Sequence, residues 1–296
     1  MARKELFINN LVSVIIPTYN RANTISDCIK SVINQTYQKL EIIVVDDCSS
    51  DMTIDIVDRF HDSRIKCYKL DENHGACYAR NYGFERSNGE FIAFQDSDDI
   101  WHLDKIQKQL SFLRDNNYDF VFSRMYRTEG DRGGFIPREE IDMDANLYEL
   151  ELLKNYVGTV TMFMKRGVME HIRFDPELRR FQDWDFAIRV VKTYNVGYIT
   201  EVLVDTFQQP NSISGNIDSY DSFLAVYYKH EKEISKYPII HDKWLRRLQV
   251  MCENKGNSVR CYNPTVAAKW YWESLKYDFS AKNLIKCLLS FLHIKY

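Results

Sequence analysis

No stretch of this 296-residue chain is long and apolar enough to span a bilayer, and the opening MARKELFINN lacks the apolar core of a signal peptide. The expectation is a cytoplasmic protein, with peripheral contact at the inner face of the cell membrane left open. Neither sign of charge is in excess. With 39 Lys and Arg against 42 Asp and Glu the net charge is −3, which makes nucleic acid a poor partner. Seven cysteines, at 28, 48, 67, 77, 252, 261 and 287, include no CxxC pair and leave one over, a pattern that suits a reducing compartment better than a disulfide scaffold. There is no internal repeat and no low-complexity tract.

What is present is a globular composition, 45% apolar with 14% aromatics, enough for one large α/β domain and a smaller C-terminal piece. The most informative segment is Phe91–Asp99, FIAFQDSDD, an apolar run that ends in three carboxylates within four positions. A buried strand with this ending delivers negative charge to the edge where open α/β sheets bind ligands. Such a cluster repels itself unless something positive sits among it, and a divalent cation is the natural occupant.

The first hundred residues alternate strand and helix: strands over Val12–Ile16 (stopped by Pro17), Leu40–Val45, Ile65–Leu70 and Phe91–Phe94, with helices between them. Short connections predict a mostly parallel sheet covered on both faces. Beyond the acidic cluster, Leu103–Leu113 reads as a helix and Phe120–Tyr126 as a strand. The Gly-rich Thr128–Arg138 reads as a mobile loop, and Val160–Met164, Val196–Ile199 and Val202–Asp205 as short strands. Asp183–Lys192 reads as an amphipathic helix. From Tyr220 onward helical periodicity dominates, broken at Gly256-Asn257 and restarted at Asn263-Pro264. The last helix, Ala281–Leu292, carries an apolar stripe flanked by lysines, fit either to dock on protein or to lie at a membrane interface.

The polar loops Pro17–Arg21, Asp46-Asp47, Asn73-His74-Gly75 and Asp96–Asp99 all follow strands, so a parallel sheet brings them to one crevice, with Arg80-Asn81 just inside the next helix.

VSVIIPTYNR, EIIVVDDCSSD, NHGACYARNYG, GEFIAFQDSDD and FQDWDF, in this order, resemble the motifs of family 2 glycosyltransferases over residues 12–215. The resemblance implies the GT-A nucleotide-diphospho-sugar transferase fold in residues 1–215, with a helical C-terminal region at 216–296. It implies an inverting enzyme that moves a sugar from a nucleoside-diphosphate donor, UDP-linked by preference, to a hydroxyl acceptor. A lipid-linked oligosaccharide in surface polysaccharide biosynthesis is the expected acceptor. Asp98 would bind Mn²⁺ or Mg²⁺. Pro17, Thr18, Tyr19, Arg21, Asp47, Arg80, Asp96 and Ser97 would bind the nucleotide sugar, Asp47 by accepting from the base N3–H. Asp183 would be the general base, a role one ionised carboxylate can fill because a metal-bound diphosphate leaves without protonation.

Blander readings stand beside these. Asp46 could be loop structure or a cap, Asp99 a cap for the next helix, and Arg80 a surface ion pair. Asp183 could be an N-cap, Asp185 a helix-face charge, and Trp184 either an acceptor platform or core. Two positions depart from the family pattern: Gln182 replaces a Glu before the base, and Gln209 stands where a metal-binding His is common. They keep a rival open, a non-catalytic nucleotide-sugar-binding or scaffold subunit. The QxxRW element of processive synthases is absent, which favours transfer of one or a few sugars. PTYNR has neither the glycines nor the lysine of a nucleotidyltransferase phosphate loop.

Overall fold

The computed structural model describes residues 7–143, 145–208 and 219–292. The chain divides into two compact units, Met1–Gly215 and Asn216–Tyr296. In the first, the strands are β1 (Ile8–Thr18), β2 (Leu40–Asp46), β3 (Ile65–Lys69), β4 (Gly89–Phe94), β5 (Ile100–Trp101), β6 (Phe120–Glu129), β7 (Arg132–Ile136), β8 (Phe163–Lys165) and β9 (Val196–Phe207). The helices are α1 (Ile25–Ile33), α2 (Thr53–Asp58), α3 (Ala76–Glu85), α4 (Lys105–Asp115), α5 (Leu147–Leu153), α6 (Arg166–His171) and α7 (Gln182–Thr193).

The sheet order is β3-β2-β1-β4-β8-β6-β9-β5, with β7 on β6. β1 pairs in parallel with β2 and β4, and β2 with β3, so their C-terminal tips share one edge. β8 enters antiparallel between β4 and β6, which makes the second half of the sheet mixed. All seven residues of β2 are buried, as expected for a strand covered on both faces. Val12, Val14, Ile16, Ile29 and Val44 pack on one side of the sheet, and Ile15, Phe94, Phe120, Phe122 and Phe186 on the other.

Several sequence expectations change for local reasons. β1 runs through Pro17 to Thr18, because Pro17 faces the β4 side, where pairing has already ended at Ile15 and Phe94. Thr128–Arg138 is no loose loop. It holds the end of β6 and all of β7, with Gly130 in left-handed backbone (φ 55°) at the turn and Gly133 against the Tyr126 ring. Val196–Phe207 is one strand, its irregularity confined to a register shift opposite Ser123–Met125. Val160 lies in a 3-10 turn, Thr159–Thr161, that precedes β8. β5, only two residues long, carries no periodicity by which it could be read.

The second unit contains α8 (Ser219–Ile234), α9 (Pro238–Val259), α10 (Pro264–Ser274) and α11 (Ala281–Phe291). Trp244 is buried against Phe223 and Tyr227, at ring-centroid distances of 4.5 and 6.0 Å. Asn263 caps α10 by accepting from the Val266 N–H at 3.2 Å, with Pro264 in the first turn. The helix does not break at Gly256. α9 continues through it, because a Cβ there would meet the Tyr271 ring at 2.7 Å, and glycine lets α9 and α10 approach.

Gly89 makes the same kind of close approach inside the sheet. A Cβ would lie 2.7 Å from Ser13 N and 2.8 Å from Leu11 O, backbone atoms that cannot swing away. Gly89→Ala is therefore expected to destabilise the protein by about 1–3 kcal/mol, read from a urea unfolding curve. An unchanged midpoint would show that β1 and β4 separate freely.

Candidate active site

The loops after β1, β2, β3 and β4 lie at the same sheet edge, and one buried cation on α3 joins the β4 tip to α7. Arg80, on the second turn of α3, is 5% exposed. Its Nη2 donates to Asp96 Oδ1 at 2.7 Å and its Nη1 to Gln182 Oε1 at 3.1 Å, and the guanidinium sits over the Phe174 ring. Burial alone would pull its pKa down, but the Asp96 charge holds it above its ordinary value. The surface ion pair considered from sequence is thus a buried one. Gln182 suits this place, since its Nε2 also donates to the Leu178 carbonyl at 2.9 Å, a bond no carboxylate could make.

Asp98, two residues beyond Asp96, accepts from Arg21 Nε at 3.3 Å. Arg21 is itself held, its backbone N–H on Thr53 Oγ1 (2.8 Å) and its Nη1 on the carbonyls of Tyr19 and Asn20 (3.3 and 3.2 Å). Burial, then repulsion from Asp96, pushes the Asp98 carboxyl above the usual carboxylate range, and Arg21 offsets part of this. Ser97 is buried between the two acids. Asp99 does not cap a helix, since α4 starts only at Lys105. Its Oδ1 accepts from the Phe207 N–H at 3.1 Å and ties the acidic tip to the end of β9. Beneath the tip, the Cys28 thiol donates to the Asp96 carbonyl at 3.4 Å, its pKa raised by burial and by the acids above.

Asp47 locks the β2 and β3 tips together. Its two carboxylate oxygens accept from the N–H groups of His74 (2.8 Å) and Gly75 (2.7 Å), and its carbonyl accepts from Asn73 Nδ2 (3.1 Å). Gly75 reaches this geometry at φ 88°, a conformation that favours glycine. Each Asp47 oxygen keeps a second lone pair for a ligand donor. Asp46 is buried loop structure, its Oδ2 accepting from the Ser49 N–H at 2.9 Å. Thr18 ends β1 with an unpartnered, buried hydroxyl, Pro17 lies in the strand, and Tyr19 is 45% exposed at the rim.

Asp183 lies in the first turn of α7 but is not its N-cap. That place belongs to Phe181, in left-handed backbone at φ 61°. Asp183 Oδ1 accepts from the Trp184 N–H at 2.9 Å, and the Asn155 side chain bonds the same carboxylate. Burial raises its pKa and the Asp96 charge adds to this, while Asn155, Trp184 N–H and Arg80 oppose it. The fields of Arg80 and Asp96 at Asp183 put all three in one neighbourhood, and Asp98 follows Asp96 two residues on in the same loop.

Two expectations here are corrected. Trp184 offers no acceptor platform: it is 3% exposed and its indole N–H donates to the Glu151 carbonyl at 2.6 Å, so its ring belongs to the core. Asp185 is no surface charge. It is fully buried and paired with Arg189 at 2.5 Å. Asn155 and Glu151, which the structure adds around Asp183, lie in no motif and gave no sequence signal. Gln209, with the Pro210–Ser214 loop, lies outside the described residues. Among the described residues, no group of three or more His, Cys, Asp or Glu is placed to hold a metal ion.

The sequence profile of glycosyl transferase family 2 matches residues 13–173. TuaG of Bacillus subtilis (strain 168), named for teichuronic acid biosynthesis, is 35% identical over 209 residues, covering 70% of this chain and 82% of that protein. WfgD of Escherichia coli is a UDP-Glc:α-D-GlcNAc-diphosphoundecaprenol β-1,3-glucosyltransferase. It is 36% identical over 192 residues, covering 64% of this chain and 73% of its own. Among solved structures, S. aureus TarS residues 1–349 with UDP-GlcNAc superposes with a TM-score of 0.64 at 17% identity, over 96% of this chain and 93% of that one. The mannosyltransferase PcManGT of Pyrobaculum calidifontis, with GDP-Man and Mn²⁺, gives 0.58 at 17%, over 94% and 83%. These likenesses show the GT-A fold. With the profile match and TuaG over most of its length, the chain belongs to glycosyl transferase family 2.

Proposed function

We propose that this protein is an inverting, metal-dependent glycosyltransferase that moves a sugar from a UDP-sugar to a hydroxyl of a lipid-linked saccharide in surface polysaccharide biosynthesis. The observation that carries the reading is the Arg80 bridge, which holds the acidic tip of β4 and the start of α7 on one cleft. The glucosyltransferase WfgD, with its UDP-glucose donor and diphosphoundecaprenol-linked acceptor, supports the choice of substrates.

The donor would lie along the sheet edge, its uridine by Tyr19, Thr18 and Asp47 and its diphosphate toward Arg21 and Arg80. Asp98 fits a hard divalent cation. Its carboxyl is under repulsion from Asp96 and keeps one oxygen beyond the Arg21 contact, which suits Mg²⁺ or Mn²⁺ completed by water and diphosphate oxygens. When bound, such an ion stabilises charge building on the departing diphosphate. Asp183 takes the acceptor hydroxyl proton as the new C1–O bond forms on the face opposite the leaving group, which inverts the anomeric centre. The Asn155 side chain, the Trp184 N–H and Arg80 oppose the rise that burial gives the pKa of this base.

A cytoplasmic enzyme working on a lipid-linked acceptor must reach the bilayer. α11 leaves Ile285, Leu288 and Phe291 exposed with Lys282 beside them, a face suited to an anionic membrane.

Transfer from UDP-[¹⁴C]glucose to a GlcNAc-diphospholipid with Mn²⁺ tests the function directly. UDP-glucose that binds tightly but is neither transferred nor hydrolysed would favour the scaffold reading. Asp183→Asn is expected to lower kcat by roughly 10²- to 10⁴-fold with UDP affinity kept. Asp98→Ala should abolish turnover and also remove the Mn²⁺-dependent part of UDP binding in calorimetry. Both variants at wild-type activity would refute the assignments. Leu288→Glu should weaken co-sedimentation with phosphatidylglycerol vesicles while leaving hydrolysis of UDP-glucose unchanged, and equal sedimentation would remove α11 from the membrane surface.

A further inference from the structure

A fully buried carboxyl with no cation beside it needs a reason. Glu151, in the last turn of α5, has no exposed surface, and its two oxygens face the Tyr156 N–H at 3.3 and 3.2 Å. The Val157 N–H donates to the same carboxyl. Glu151 thereby closes the chain just after the helix, where Lys154 is already extended (φ −157°, ψ 140°). Asn155 sits within this closed turn, and its side chain bonds the Asp183 carboxylate. Asn155 Oδ1 is buried and has no partner, so the amide NH₂ is the donor. From the other side, the Trp184 indole N–H reaches back to the Glu151 carbonyl at 2.6 Å. The 151–155 segment at the end of α5 and the start of α7 are stitched twice, by a side chain from each.

We propose that Asn155 is a positioning residue for Asp183, held in place by the Glu151 carboxyl through the 155–157 turn, and that it keeps the base ionised and aimed into the cleft. The inference rests on Asp183 being the base. Among the described residues, the charged and titratable groups that act most strongly on Asp183 are Arg80 and Cys77 on α3, Asp96 at the β4 tip and Glu151 on α5. Arg80 is the only cation in that set, and it is shared with Asp96 and Gln182. A neutral donor on the far side supplies what a second cation would, without adding a charge that the buried Glu151 would answer. Burial raises the Glu151 pKa well above the usual carboxylate range, and the N–H groups of Tyr156 and Val157 oppose that rise.

The experiment measures kcat and KM against pH for transfer from UDP-glucose to a GlcNAc-diphospholipid with Mn²⁺. A base works only when ionised, so any change that raises its pKa moves the acidic limb of kcat toward higher pH. Asn155→Ala should move that limb up by about one unit and lower kcat by up to about tenfold at pH values on the limb, with kcat at the plateau and KM for UDP-glucose within about twofold of wild type. Glu151→Gln keeps an acceptor for the two N–H groups and should behave as wild type, while Glu151→Ala should reproduce the Asn155→Ala shift. Should Glu151→Ala fail to fold, Asn155→Ala and Glu151→Gln still decide the matter. An unmoved acidic limb in Asn155→Ala, or a change confined to KM, overturns the inference. Full activity in Asp183→Asn overturns the base assignment itself. If Asp183→Asn is inactive while Asn155→Ala keeps its limb, the base stands and only the positioning role falls.

Discussion

The site depends on one buried guanidinium. Arg80 is removed from water and must be answered by negative charge and acceptors, and the partners that answer it come from two distant parts of the chain, Asp96 and Gln182. A lone buried cation is costly enough that neither partner can leave without the other groups responding. The contact fixes the spacing between the acids of the β4 tip and those of α7, on which any reaction across the cleft depends.

The same economy of charge explains why the acids differ. Asp96 is satisfied by Arg80, while Asp98 and Asp99, which share its neighbourhood, have their pKa values raised first by burial and then by repulsion from the neighbouring acids. Asp99 is tied by a backbone N–H from β9, while Asp98 is held by the longer Arg21 contact and a backbone N–H of its own. Asp47 shows a third solution. Each of its carboxylate oxygens accepts one backbone N–H from the β3 tip, so its orientation is fixed by the chain itself while a second lone pair on each oxygen stays open.

Much of the first unit was legible because its pattern is local. Alternation of short apolar runs with helical spacing gave β2, β3 and β4 to within two residues and the helices that lie between the strands. Where reading failed, the cause was a neighbour that sequence does not show. Pro17 remains in β1 because β4 has turned away, Gly133 makes a hairpin because Tyr126 lies opposite, and Gly256 continues a helix because Tyr271 fills its face. Glycine and proline mark backbone constraint, but only the packing decides whether that constraint ends an element or lets two elements meet.

By itself the sequence determined the alternation that builds a parallel half-sheet, the polar tips gathered at one edge and the family to which their order points. It could not assign Trp184 and Asp185, adjacent to Asp183, to the core, since helix phase relative to α5 and Arg189 is a tertiary property. Nor could it find Asn155 and Glu151, whose types are common in loops and helices and whose meaning comes only from facing Asp183 and the 155–157 turn. Motifs record residues that must sit at fixed sequence offsets, whereas the groups that tune a carboxylate need only be near it in space.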